Sequence, residues 1–200
     1  LLTLTSSAFI FGIEILKRKF QLPTDITRRA THITTATVAG LAPLFITKNE
    51  LILVCLIFAI ILLYGRRYGI FSAIHSVERK TFGEIYLPLG VVATALFFLP
   101  QNLHAFQFGI FIMGISDAIG GLVGERFGKH TFILFGNKKT LEGSMIFFLC
   151  SLILTFLFSP IFGYKLFFIP LILTATEFWL IYGLDNLALP ILGAYLIYFL

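Results

Sequence analysis

Long apolar segments follow one another along this chain, separated by short polar connections. They occupy residues 1–16, 33–47, 51–64, 85–99, 105–123, 145–159, 166–183 and 187–200. A helix that spans a bilayer needs roughly 20 apolar residues, so polar neighbours must complete several of these segments. None alternates apolar and polar residues as the strands of a membrane barrel do. The sequence therefore predicts an all-α, polytopic helical bundle with about eight transmembrane helices.

The composition excludes a water-soluble fold. Hydrophobic residues make up 58% of the chain, and charged residues only 12%. A soluble domain of 200 residues cannot cover that much apolar surface with so little charge, so lipid must be the solvent. We expect residues 1–200 to form a single transmembrane domain of a multi-pass integral membrane protein.

The Lys and Arg residues fall almost entirely on one side of the predicted bundle. Thirteen of the fifteen lie in the connections after the first, third and fifth apolar segments, and only Lys48 and Lys165 lie opposite. Such an excess marks the cytoplasmic side. The formal charge of +5 therefore reflects topology and contacts with membrane lipids rather than nucleic acid, and we expect no nucleic-acid partner. The prediction places active-site loops near 17–32, 65–84 and 124–144 on the cytoplasmic face.

One carboxylate, Asp117, lies within an apolar segment and is followed by spaced glycines. A charged side chain at membrane depth is costly and usually faces a protein interior or a water-filled cavity. On a helix, offsets of three, four, seven and eleven residues place the glycines on the same face as Asp117; they are Gly120, Gly121, Gly124 and Gly128. Such a strip admits either a second helix or a phosphate group. Packing explains the glycines as well as function does, but it does not explain Asp117.

Other polar side chains are expected to meet Asp117 at the cytoplasmic face. They are Glu142, Glu177, Asp185, Asn186, Arg28, Arg29, His32, Lys129, Lys138 and Lys139. Carboxylate oxygens suit a divalent cation such as Mg²⁺, with Asp117, Asp185 and Asn186 as candidate ligands. Arg and Lys suit phosphate. We therefore expect a phosphate-handling site. For His32 and Asn186, a purely structural role is an equally good interpretation.

The sequence of this region resembles a known family. Ser116-Asp117-Ala118 through Gly124-Glu125-Arg126-Phe127-Gly128-Lys129, followed by Lys138-Lys139-Thr140-Leu141-Glu142-Gly143-Ser144, resembles the dolichol kinase, phytol kinase and CTP-dependent diacylglycerol kinase family. Arg28-Arg29 with His32 is similar to its early basic element, and Glu177 with Asp185-Asn186-Leu187 to its late acidic one. The resemblance spans roughly residues 24 to 190. The family is similar in architecture to phosphatidate cytidylyltransferases.

The resemblance implies a lipid-alcohol kinase that uses CTP and a divalent cation. The acceptor would be dolichol or another polyprenol, phytol, or diacylglycerol. The implied roles are metal or nucleotide-phosphate contact for Asp117 and Glu142, charge neutralisation for Lys138 and Lys139, and metal ligation or general base for Asp185 and Glu177.

Two other functions stay open on the sequence. A phosphatidate cytidylyltransferase would release pyrophosphate, whereas the kinase releases CDP. An ion-coupled transporter would use the intramembrane acids as an ion path, but transporters commonly show repeated halves with broken helices, and no internal repeat is evident.

Overall fold

A computed structural model describes residues 23–68, 82–135, 137–158 and 163–199. This part of the chain forms seven helices. They are α1 (Thr24–Leu41), α2 (Lys48–Tyr68), α3 (Gly83–Phe98), α4 (Leu103–Phe127), α5 (Leu141–Phe158), α6 (Lys165–Trp179) and α7 (Asp185–Phe199). Between α4 and α5, strands β1 (Thr131–Leu134) and β2 (Asn137–Thr140) pair as an antiparallel hairpin.

The predicted all-helical architecture is confirmed, and within the described residues the hairpin is its one departure. Helices α2, α4 and α5 are long and apolar enough to cross a membrane, whereas α3, α6 and α7 are apolar but shorter. The predicted count of eight transmembrane helices is not confirmed. The first predicted helix, 1–16, lies outside the described residues, as do residues 17–22, 69–81 and 136 of the predicted active-site loops.

Helix α1 begins well before the apolar segment that predicted it. The hydroxyl of Thr31 donates to the carbonyl of Thr27, and that of Thr35 to the carbonyl of Thr31, each at 2.8 Å. Hydroxyls satisfied in this way inside their own helix allow a polar segment to remain helical. As a result, Arg29 and His32 project from a helix instead of a loop.

The connection between α1 and α2 is closed by a capping box at the start of α2. The backbone N–H of Glu50 donates to the Thr47 hydroxyl at 3.4 Å, and the Glu50 carboxylate accepts from the Thr47 N–H at 2.8 Å. This reciprocal pattern satisfies two backbone donors at a helix start. Ala42 and Leu51, on either side of the turn, are buried.

Helix α4 lies at the centre of the core, where Phe106, Phe108 and Ile110 are fully buried. It packs closely against α7 because Gly109 has no side chain: a Cβ atom there would overlap the backbone carbonyl oxygen of Pro190. Gly193 of α7 lies at the same crossing, but a Cβ atom on it would come no closer than 3.3 Å to the Gly109 Cα.

Gly109→Ala should therefore destabilise the bundle, since the Pro190 carbonyl belongs to a helix backbone and has little freedom to move. Overpacking of this kind costs about 1–3 kcal/mol, which corresponds to a loss of about 5 °C in thermal midpoint for a chain of this size. Gly193→Ala is the matched control, with a much smaller expected effect. Thermal unfolding of both variants in detergent makes the comparison, and equal midpoints would contradict the packing described.

Candidate functional site

One cavity of about 910 Å³ lies among helices α1 to α5, the hairpin, the end of α6 and the start of α7. Within the described residues, its charged lining comprises six acidic and five basic side chains. They are Asp25, Glu84, Asp117, Glu125, Glu177 and Asp185, with Arg28, Arg29, Arg66, Lys138 and Lys139. The cavity is therefore strongly charged at the end where these helices begin or finish.

A buried guanidinium occupies the centre of this charged end. Arg29 donates from Nη1 to the Asp117 carbonyl at 3.4 Å and lies 3.5 Å from its carboxylate, while Nη2 donates to the Glu125 carboxylate at 3.1 Å. Asp117, Gly121 and Glu125 share one face of α4 because they follow one another at four-residue steps. A Cβ atom at Gly121 would overlap the guanidinium. The bare backbone at Gly121 is thus the space in which Arg29 lies between two carboxylates.

Glu125 is a site residue that the sequence pattern did not identify. Its carboxylate accepts from both Arg28, at 3.0 Å, and Arg29. The spacing of eight residues from Asp117, with a glycine halfway, is the pattern that could have identified it. A second link between α1 and α4 joins Arg126 to Asp25 at 3.3 Å. Desolvation alone would raise the pKa of the Asp25 carboxyl, but the hydrogen bond and charge of Arg126, together with backbone hydrogen bonds at residues 25 and 26, lower it.

Helix α4 contains a π-helical turn, Ile112–Ser116, immediately before Asp117. The Nε2 atom of His32 lies 3.1 Å from the carbonyl oxygen of Met113 in this turn. Because a carbonyl only accepts, Nε2 is the donor and carries the proton. His32 lines the cavity, but this contact gives it a structural role beside the phosphate contact predicted for it. Turns of this kind inside helices are frequent at functional sites.

The hairpin brings a lysine to the acids that follow α4 in the sequence. Lys139 on β2 donates to the carboxylate of Glu177 and, at 2.8 Å, to its backbone carbonyl. Asp185, the first residue of α7, interacts electrostatically with Lys139, Glu177 and Asp117. The structure thus brings Asp117, Glu177, Asp185, Arg29 and Lys139 together, whereas Lys138 is exposed at the cavity rim.

Two predicted site residues, Glu142 and Lys129, do not line the cavity. The Glu142 carboxylate instead accepts from the backbone N–H of His130 at 3.2 Å and contacts its ring Nδ1 at 2.8 Å. This pair ties the start of α5 to the segment entering β1. Glu142 is placed to hold the hairpin that carries Lys139, and Lys129 is exposed beside it.

The glycines of α4 divide between the two roles that the sequence left open. A Cβ atom at Gly120 would lie 2.9 Å from the Gly143 carbonyl oxygen, and one at Gly124 would lie 2.5 Å from the Thr140 hydroxyl. These two positions therefore allow the end of β2 and the start of α5 to pack closely against α4. Gly121 faces Arg29 instead, and all three line the cavity.

The oxygen ligands at the charged end fit a cation held jointly with a nucleotide. In the described ranges, no group of three or more His, Cys, Asp and Glu side chains is arranged to hold a metal ion. Mg²⁺ requires fewer, since it usually keeps several waters and binds through one or two carboxylates plus substrate phosphates. Asp117 and Asp185 provide such a pair. Asn186 donates its amide to the Gly83 carbonyl at 2.8 Å, which joins α7 to α3 and leaves its side-chain oxygen for ligation.

Comparison with known proteins identifies the family to which this chain is similar. A model of the cytidylyltransferase family matches residues 7–185. Phytol kinase from Synechocystis sp. is 30% identical over 202 residues, which cover 95% of this chain and 85% of that protein. The uncharacterized protein RP860 from Rickettsia prowazekii is 33% identical over 116 residues, covering 54% of this chain and 53% of its own length. No solved structure matches the chain significantly.

The matched range includes the whole charged end of the cavity, from Asp25 on α1 to Asp185 on α7. The family resemblance inferred from the sequence is thereby confirmed. This chain belongs to the cytidylyltransferase family and is similar over nearly its whole length to a phytol kinase.

Proposed function

We propose that this protein is a membrane lipid-alcohol kinase that transfers the γ-phosphoryl group of CTP to the hydroxyl of a lipid alcohol. The observation that carries the proposal is a single cavity with ionised groups at one end and an apolar lining beyond them. Such a cavity suits one polar and one lipid substrate. Similarity to a phytol kinase favours phosphoryl transfer to an alcohol, and the family favours a cytidine nucleotide as donor.

In this reaction, the alcohol oxygen forms a bond to the γ-phosphorus while the bond from that phosphorus to the β–γ bridging oxygen breaks. CDP leaves, and the hydroxyl proton passes to a carboxylate at the charged end, either Asp185 or Glu177. Phosphoryl transfer asks little covalent chemistry of a protein, so catalysis comes from in-line positioning and charge stabilisation.

Arg29 and Lys139 are the proposed phosphate ligands. Both are largely buried in the cavity lining. The Nε–H group of Arg29 is buried and has no acceptor among the described residues. A buried donor normally has a partner, and a phosphate oxygen would supply one. Lys138, at the rim, would neutralise charge farther along the triphosphate.

A divalent cation is part of the proposal because carboxylates outnumber cations in the lining. A triphosphate would add further negative charge. Asp117 and Asp185, with Asn186, would hold Mg²⁺, which shields the phosphate oxygens from the carboxylates. We place this end of the cavity on the cytoplasmic face, where CTP is available, because the Lys and Arg residues concentrate in the connections at that end.

The proposal is tested by following two labels through one reaction. Purified protein in lipid vesicles, supplied with Mg²⁺ and phytol, should move the γ-phosphate of labelled CTP into the lipid fraction and release CDP. Label from the α-phosphate should stay in solution. If the α-label entered lipid with phosphatidate as acceptor and pyrophosphate was released, the protein would instead be a cytidylyltransferase. Transfer from ATP in preference to CTP would refute the proposal that CTP is the phosphate donor.

Asp117→Asn should lower the rate of transfer about a hundredfold or more, because the amide keeps the shape of the side chain but loses the charge that faces the cation and Arg29. Glu50→Gln is the control, since Glu50 is an exposed carboxylate in the capping box of α2, where glutamine also serves. It should leave the rate unchanged. Thermal midpoints of both proteins verify folding, and near-normal turnover by folded Asp117→Asn protein would refute the assignment.

A further inference from the structure

Beyond its charged end, the cavity continues as an apolar limb between α1, α2 and α3. The limb is lined by Val38 and Ala39 of α1, Val54 and Phe58 of α2, and Leu87 and Val91 of α3. Thr31 and Thr35 also face it, but their hydroxyls donate to carbonyls within α1. The limb therefore offers mainly hydrocarbon contacts, and the hydroxyls of these two threonines are already hydrogen-bonded.

The limb is closed at the end opposite the charged groups, and this closed end is called its floor. Ala42, Ile46 and Leu51 line the cavity where the chain turns from α1 into α2, and Ala42 and Leu51 are almost completely buried. The turn joins two walls of the limb covalently. Along α1, the distance from Arg29 at the charged end to Ala42 at the floor is about 20 Å at 1.5 Å per residue.

The limb also has a side on which its walls are not packed together. Helix α2 packs along α3, but in the part of the chain described here it has no comparable packing with α1. The outer surface of α2 carries exposed apolar side chains, including Leu53, Ile57 and Ile60. Within the described residues, the gap between α1 and α2 is therefore the side from which a hydrocarbon chain in the surrounding lipid would enter the limb.

Building on the proposed kinase function, we propose that this limb holds the tail of a single-chain lipid alcohol. The hydroxyl lies at Asp117 and Asp185, and the end of the tail lies against Ala42 and Leu51. A cavity of about 910 Å³ is near the upper limit for one small-molecule ligand, and the phosphates occupy part of it. We therefore expect the limb to take one hydrocarbon chain rather than two acyl chains side by side, and a tail much longer than the limb to meet the floor. The acceptor is thus an isoprenoid alcohol of the length of phytol, rather than diacylglycerol or a long polyprenol.

The first test measures kcat/KM for geraniol, farnesol, phytol, undecaprenol and diacylglycerol, each presented in vesicles with labelled CTP. The rate should rise from geraniol to phytol and fall at least tenfold for undecaprenol and diacylglycerol. Equal use of phytol and undecaprenol, or of phytol and diacylglycerol, would overturn the proposal.

Val54→Phe fills the limb near its floor and should shift this profile towards shorter alcohols. The ratio of kcat/KM for phytol to that for geraniol should fall about tenfold. Leu53→Phe is the matched control, because it introduces the same side chain at the neighbouring position on the outward face of α2. It should leave the ratio unchanged. Should Val54→Phe fail to fold, Ala39→Leu from the opposite wall tests the same shift. A folded limb variant with an unaltered ratio would overturn the proposal.

A binding experiment separates failure of the limb from failure of the kinase function. An alcohol of phytol length, carrying a photoreactive diazirine near the end of its tail, is irradiated with the protein in vesicles without nucleotide. Peptide mapping should place the adduct at Val54, Phe58 or Leu51. Such an adduct on a protein that transfers no phosphate would retain the limb and reject the kinase. Adducts confined to Leu53, Ile57 and Ile60 would reject the limb.

Discussion

An arginine buried against a bare stretch of helix is the interaction on which the charged end of this protein depends. A guanidinium within a lipid-surrounded bundle is costly unless it is paired. Asp117 and Glu125 supply the opposite charge for Arg29, and Gly121 supplies the space. The two carboxylates and the glycine lie at four-residue steps, so a shift of α4 by one residue would place a side chain under the guanidinium. One ion-pair network therefore fixes the register of α1 against α4.

The π-helical turn explains how one helix serves both the core and the cavity. The first half of α4 must direct Phe106 and Phe108 into the core, while the second half must direct Asp117 and Glu125 at Arg29. One extra residue in a turn rotates everything after it by about 100° relative to a continuous α-helix. The turn between residues 112 and 116 provides such a rotation. His32 contacts the Met113 carbonyl in this turn and so links α1 to the point at which the rotation occurs.

The sequence predicted the described helices α2 to α7 well, because a backbone in lipid must satisfy its own hydrogen bonds and a helix does so locally. It also singled out Asp117, Glu177 and Asp185, since intramembrane acids are rare enough to be weighed singly. The hairpin escaped prediction because its short strands lie in a polar connection. Glu125 escaped because its partners, Arg28 and Arg29, come from a segment nearly a hundred residues away. The four-residue spacing of Asp117, Gly121 and Glu125 can indicate that a cation lies between the two carboxylates. It does not identify the arginine that supplies this cation.

If the protein binds CTP as proposed, its buried ion pairs also bear on how the nucleotide would enter a site with more carboxylates than cations. Arg29 and Lys139 are already engaged by Asp117, Glu125 and Glu177. A phosphate arriving alone would have to break these pairs and leave carboxylates buried and unpaired, which is strongly unfavourable. A phosphate arriving with Mg²⁺ would exchange partners instead: the cations turn to the phosphate oxygens, and the released carboxylates turn to the metal. Under the proposed function, charge compensation would be kept throughout, and the ion pairs seen in the structure would hold these groups in place for the exchange.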